Sequence, residues 1–181
     1  LAGASPEARI VLPRFSIIKA LERKIHGEQI VAVDVGERWS AGPIEVEPVP
    51  AVHEEMTEDS FGNHKFLGYL VTVDGFTVYH AGDTIPHPSI DAVLRKRKVD
   101  LAFLPVNGRD VYRKEHGVPG NLTGEEALEM HERLDFSHTI VHHFGMFDFN
   151  SADIGELQVI IRNKHLQKTI TVPEAGRIYE Y

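Results

Sequence analysis

Three positions in this chain carry side chains that could share a divalent metal: His53 after Pro50-Ala-Val, Asp83 within Ala-Gly-Asp-Thr, and His143 ahead of Phe-Gly. Imidazole and carboxylate hold borderline ions while leaving a coordination position open for water, which is what metal-assisted hydrolysis needs. Cysteine is absent, so thiolate ligation is excluded and His with Asp/Glu remains, a set that suits Zn, Mn or Fe.

The elements that must position these residues can be read around them. Asp74-Gly75 separates two runs rich in Val, Tyr, Phe and Leu, and Asp-Gly favours a two-residue hairpin turn because both positions tolerate positive φ. The second run, 76–80, leads straight into Gly82-Asp83, placing the carboxylate at a strand's C-terminal end, where open α/β sheets collect their chemistry. Upstream, the pattern predicts a short strand at 9–12, a helix over 15–25 with Ile17, Ile18, Leu21 and Ile25 on one face, and strands at 30–34 and 44–49. Residues 50–65 are polar and irregular. Downstream follow a helix at 88–98, a buried strand at 99–106 and a Gly/Asn/Arg-rich loop at 107–121. Thr123-x-x-Glu126 is a capping box that opens a helix to about Leu134. A strand at 139–141, a loop at 142–150, a helix at 151–165 and strands near 169–172 and 177–181 complete the chain. There is no internal repeat, low-complexity tract or linker, and the whole of 1–181 reads as a single domain.

Composition narrows the function. The chain has 181 residues, 42% hydrophobic and 25% charged, enough to bury a core. Its net charge of -8 argues against nucleic acid as a partner, since such binders concentrate Lys and Arg. No apolar run approaches the roughly 18 residues of a membrane span, nothing resembles a signal peptide, and the absence of cysteine fits a cytoplasmic location. Homo-oligomer formation is left open.

Taken in order, Pro50-Ala-Val-His53-Glu, Gly68-Tyr-Leu-Val, Tyr79-His-Ala-Gly-Asp83-Thr, Leu104-Pro-Val-Asn-Gly-Arg-Asp110 and Val141-His-His143-Phe-Gly-Met-Phe147 resemble the metallo-β-lactamase superfamily, and within it the branch related to L-ascorbate-6-phosphate lactonase. The resemblance runs from about Ser5 to the C-terminus, and linked motifs in the right order are far more specific than any one alone. It implies an α/β fold, the four-layer αββα sandwich, incomplete at its N-terminal side. It also implies two divalent metal ions, Zn or Mn, with Asp83 bridging them and catalytic, His53 on the first and His143 on the second. The implied activity is hydrolysis of a small anionic ester, lactone or phosphodiester by metal-activated hydroxide.

One departure is plain: the family's His-x-His-x-Asp-His does not occur in these residues. The chain begins without Met inside the family pattern, so the expectation is that this segment lies upstream in a longer parent, to which the activity attaches. The alternatives are a phosphodiesterase or nuclease of the same superfamily, or a noncatalytic binding module.

Other residues carry two readings each. Asn107, Arg109, Tyr112 and Asn121 are candidates for substrate contact, with Arg109 as a bidentate clamp on an anionic group. The competing reading is a loop tied internally by an Arg109–Asp110–Arg113 charge cluster. His64 and His80 read as structural hydrogen-bonders. His142, one residue before His143 on an extended segment, should point the other way. His131 lies on the Ala127/Met130/Leu134 side of its helix, as a packed histidine or one that supports a metal ligand from behind.

Overall fold

The computed structural model describes residues 2–181. Its centre is a seven-stranded sheet: β3 (Trp39–Ala41), β4 (Ile44–Pro50), β5 (Leu67–Val73), β6 (Phe76–His80), β7 (Leu101–Pro105), β8 (His138–His142) and β9 (Ile170–Thr171), laid side by side in chain order. β3 to β6 pair antiparallel, and β6 to β9 pair parallel. Two antiparallel steps separate β4 from β6, so β4, β6, β7 and β8 all run the same way and their C-terminal ends share one edge. The other strand pair, β1 (Ile10–Pro13) with β2 (Ile30–Val33), is parallel and joined through α1 (Ile17–Glu22).

The hairpin forms as its turn residues require. Asp74 at φ 49 and Gly75 at φ 84 are both left-handed, and Val73 pairs with Phe76 across them. α4 (Gly124–Leu134) starts at the Thr123/Glu126 capping box, with both reciprocal hydrogen bonds made. It buries Ala127, Leu128, Met130, His131 and Leu134, one helical face. α2 (Pro88–Leu94) and α5 (Ile154–Asn163) add Ile90, Leu94, Leu157 and Ile161 to the same core, against Val49, Leu70, Tyr79, Ala102, Leu104 and Val141 of the sheet. Ala102 and Leu104 alternate along β7, so this face of the sheet carries the helix layer. The other face receives the β1–β2 pair: Pro13 shares a cavity with Leu67 and Tyr69, and Asp34, just past β2, accepts from the His64 N–H at 2.9 Å.

Several expected bounds shift. The helix expected over 15–25 is a 3-10 turn followed by α1, which stops before Lys24, a residue at φ 61. Residues 39–41, expected in a loop, form β3, because Gly42 at φ 56 turns the chain back onto β4. The expected strand at 177–181 does not form. After Pro173 the chain turns instead, Arg177 N–H donating to the Glu174 carbonyl at 3.2 Å and Glu174 N–H to the Tyr179 hydroxyl at 2.9 Å. The loop at 107–121 contains a short helix, α3 (Val111–Glu115), capped by Asp110. Among the described residues no helix is long and apolar enough to cross a membrane.

Candidate metal centre

His53, Asp83 and His143 stand just past the C-terminal ends of β4, β6 and β8, on the shared edge. Two glycines allow the approach. A Cβ on Gly68 would sit 2.8 Å from the carbonyl oxygens of both His80 and Ala81, so only glycine lets β5 pass that close, and Gly82 takes φ +65 to swing Asp83 out of the sheet. Thr84, fully buried, then pins three segments together: its hydroxyl accepts from Val52 N–H at 2.9 Å, its carbonyl accepts from Leu122 N–H at 2.8 Å, and the next residue, Ile85, donates to the Val52 carbonyl at 2.8 Å.

The Nε2 of His143 lies 3.3 Å from Asp83 Oδ1, with both side chains partly open to solvent. His143 reaches this position from a left-handed backbone, φ 67, unusual for a non-glycine residue. His53 packs edge-on against Phe66 and lines a cavity of about 250 Å³ together with Asp83, Pro13, Lys65 and Tyr69. Behind this group, His80 stacks on Phe103 and lies 5.0 Å from the ring of His142. Burial, with His80 and His143 nearby, pushes His142 down to about 4, so it is neutral near pH 7. Burial also lowers His80, although Asp83 pulls the other way.

In kind, this donor set fits a divalent ion: the Asp83 carboxylate and the His143 imidazole approach at a strand edge, His53 lines the same cavity as Asp83, and two buried polar atoms, Asn121 Oδ1 and His142 Nε2, have no hydrogen-bond partner. In number it is partial, since among the described residues no three His, Asp or Glu side chains form a group that could hold a metal by themselves.

The remaining candidates divide. Asn107 and Asn121 are almost fully buried, and Asn121 Nδ2 reaches Asp83 Oδ1 at 3.5 Å, so they adjoin the site from inside the protein. Arg109 has to be corrected. Its guanidinium is committed to Glu126, two contacts of 2.6 Å, and to the Asn121 carbonyl at 3.0 Å, which takes up the fork a substrate clamp would need. The expected charge cluster is also regrouped, with Asp110 pairing with Arg113 alone. Tyr112 is largely exposed, its ring tilted against that of His116 at 4.2 Å. His131 does not support the centre: it is buried against Phe136 and bonds the Thr139 hydroxyl at 2.9 Å. Thr139 lies near the start of β8, about 10 Å from the strand's far end at ~3.3 Å per residue. His64 is held by Asp34 at 2.7 Å and Glu58 at 3.4 Å, a structural role.

Two residues escaped the sequence reading. Lys65 is the cation in the cavity with His53 and Asp83, and its position just ahead of β5, antiparallel to β4, was the available signal. Asn150 joins the buried amides around Asn107, a contact across the fold that local sequence does not announce.

Residues 2–144 match the family model described as the beta-lactamase superfamily domain. Among curated proteins, the chain is 26% identical over 156 residues to a UPF0173 metal-dependent hydrolase of Pyrococcus furiosus, covering 85% of this chain and 64% of that protein. A UPF0173 metal-dependent hydrolase of Archaeoglobus fulgidus is 26% identical over 157 residues, covering 84% and 64%. The chain thus spans less than two thirds of the length of these relatives. Among solved structures, Igni18, a metallo hydrolase of Ignicoccus hospitalis, superposes with a TM-score of 0.72 at 20% identity over 96% of this chain and 70% of that one. The metallo-beta-lactamase fold protein YhfI of Bacillus subtilis gives 0.59 at 14% identity over 91% and 61%.

Proposed function

The chain belongs to the beta-lactamase superfamily, and from that premise we propose that it carries the Asp83 side of the active centre of a metal-dependent hydrolase acting on a small anionic ester or lactone, of the kind opened by ascorbate-6-phosphate lactonase. The observation that carries the reading is the pairing of Asp83 with His143 at 3.3 Å, on the edge where His53 shares Asp83's cavity. A divalent ion held there would lower the pKa of a water and offset charge developing on the attacked carbonyl or phosphoryl oxygen. Zn and Mn both suit these ligands, and Asp83, His53 and His143 are the residues that would hold the metal.

The chain's own residues do the rest. Asp83 and His143 hold their ligand atoms at a fixed spacing, with His53 at the same cavity. His142, pushed down to about 4 by burial, stays neutral beside His143. Lys65 supplies the positive charge that would draw an anionic substrate into the cavity, in the place first considered for Arg109.

Metal analysis of the purified chain and of the parent protein, with and without Asp83→Ala, tests the proposal. The expected result is uptake of divalent ion and hydrolysis of phosphorylated lactones by the parent, both lost in the variant while its melting temperature holds within about 2 °C, as for a partly exposed side chain. Equal metal content in the two proteins would refute it.

A further inference from the structure

Asp83 is touched from the protein interior by a chain of side chains that ends at an arginine. Arg113, only 8% exposed, donates through Nε to Asp110 Oδ2 at 2.6 Å and through Nη1 to the Asn107 carbonyl and to Asn150 Oδ1, both at 2.8 Å. Asn107 Nδ2 donates to the same Asn150 Oδ1 at 2.8 Å. Asn121 Nδ2 then donates to Asn107 Oδ1 at 3.0 Å and approaches Asp83 Oδ1 at 3.5 Å.

The direction of this chain is dictated at its ends. A guanidinium can only donate, so Asn150 must turn its oxygen toward Arg113. That oxygen also faces Asn107, which must answer with its NH₂ and therefore present its own oxygen to Asn121. Asn121 must in turn offer its NH₂, and the second N–H of that group faces the Asp83 carboxylate. Reversing Asn121 would set oxygen against oxygen at Asp83, reversing Asn150 would set NH₂ against the Arg113 guanidinium, and reversing Asn107 would set oxygen against oxygen at Asn150 and NH₂ against NH₂ at Asn121. The buried Asn121 Oδ1, left without a partner, is what this orientation costs, since both N–H groups are turned to acceptors and the carbonyl is left over.

We propose that Arg113, acting through Asn150, Asn107 and Asn121, is a positioning residue for Asp83. The relay forces an N–H donor onto Oδ1, the oxygen that also faces His143, and so fixes the carboxylate's rotation. Among the described residues Oδ2 carries no hydrogen bond, which makes it the oxygen available to a metal. The inference rests on the reading of Asp83 as a metal ligand.

Asn150 is the place to test it, because it is only partly buried and its replacement spares the core. Asn150→Asp keeps an acceptor toward both Arg113 and Asn107, whereas Asn150→Leu removes it. In the metal-free full chain, the Asn121 side-chain amide protons should exchange slowly in the wild type and in Asn150→Asp, and markedly faster in Asn150→Leu. Co²⁺ titrated into the parent protein with the same three residues at position 150 should bind about tenfold more weakly to Asn150→Leu and within about threefold of wild type to Asn150→Asp, the scale of an outer-shell partner. Arg113→Lys, still a pure donor, should lie between them. Unchanged Asn121 exchange in Asn150→Leu overturns the relay, as does Asn150→Asp behaving like Asn150→Leu. A wild-type parent protein that takes up no Co²⁺ overturns the metal reading and the positioning role with it, and the exchange comparison separately decides whether the relay exists.

Discussion

Arg109→Met separates a structural charge from a substrate clamp, and its size can be worked from the contacts. The guanidinium makes two contacts of 2.6 Å to Glu126 and one of 3.0 Å to the Asn121 carbonyl, with side-chain exposures of 33% for Arg109 and 24% for Glu126. A fully exposed pair would contribute about 0–1 kcal/mol, and breaking a fully buried one costs about 3–5. This pair lies between, so the loss should be about 2–3 kcal/mol. At ~2–4 °C per kcal/mol for a chain of this size, the melting temperature should fall by about 5–10 °C. Arg109→Lys should recover less than half, because a point charge cannot span both carboxylate oxygens. The effect should also depend on pH. Burial raises the Glu126 carboxyl, but hydrogen bonds from Arg109 and Thr123 together with the arginine's charge lower it further, leaving it below its ordinary 4.5. A carboxyl lowered in the folded state stabilises above its unfolded value, and that contribution fades as pH falls through the folded one. The gap in melting temperature between wild type and Arg109→Met, measured calorimetrically, should therefore be full at pH 6–8 and close progressively below about 4.5. A melting temperature unchanged to within about 1 °C, accompanied by a raised KM for an anionic substrate, would refute the structural assignment and restore the clamp.

If the proposed function holds, Lys65→Met in the parent protein should raise KM for an anionic ester about tenfold and leave a neutral analogue unaffected; equal effects on both substrates would remove Lys65 from recognition. Thr84→Val leaves the buried Val52 N–H without its acceptor and should destabilise by about 1–3 kcal/mol in urea unfolding, whereas an unchanged midpoint would mean that Thr84 does not pin the site loops. Gly68→Ala would drive a Cβ to 2.8 Å from two backbone carbonyl oxygens and should cost about 2–3 kcal/mol, read in the same assay; full stability would show that β5 can move away from the turn before Asp83.

What the sequence announced was local. The Asp74-Gly75 turn and the Thr123/Glu126 capping box each depend on residues within four positions of one another, and both form. The alternation of strands and helices followed from the order of apolar runs, the layered fold from the family resemblance, and His53, Asp83 and His143 stood out because each follows a strand-like run. What stayed hidden was non-local. Arg109 offered no sign that its partner would be Glu126 rather than the adjacent Asp110, because the choice depends on how α4 packs beside the loop. His131 lies on the core face of α4, as periodicity indicates, but periodicity does not say which end of the neighbouring strand it meets. The strand expected at 177–181 fails for a related reason: the chain turns after Pro173, and Tyr181 meets the edge strand β9 through its hydroxyl on Thr171 rather than through backbone pairing.

The side-by-side order of the seven strands divides the molecule's tasks by edge. At one end lie the Asp74-Gly75 hairpin and the starts of β7 and β8; at the other, four loops open after β4, β6, β7 and β8. A change of length or side chain in any of those four alters what surrounds Asp83 without shifting the register of a single strand pair. Such an architecture lets selectivity diverge among descendants while the framework is inherited unchanged, and comparisons between relatives should find their variation gathered in residues 54–64, 107–121 and 144–150, outside the relay side chains Asn107, Arg113, Asn121 and Asn150.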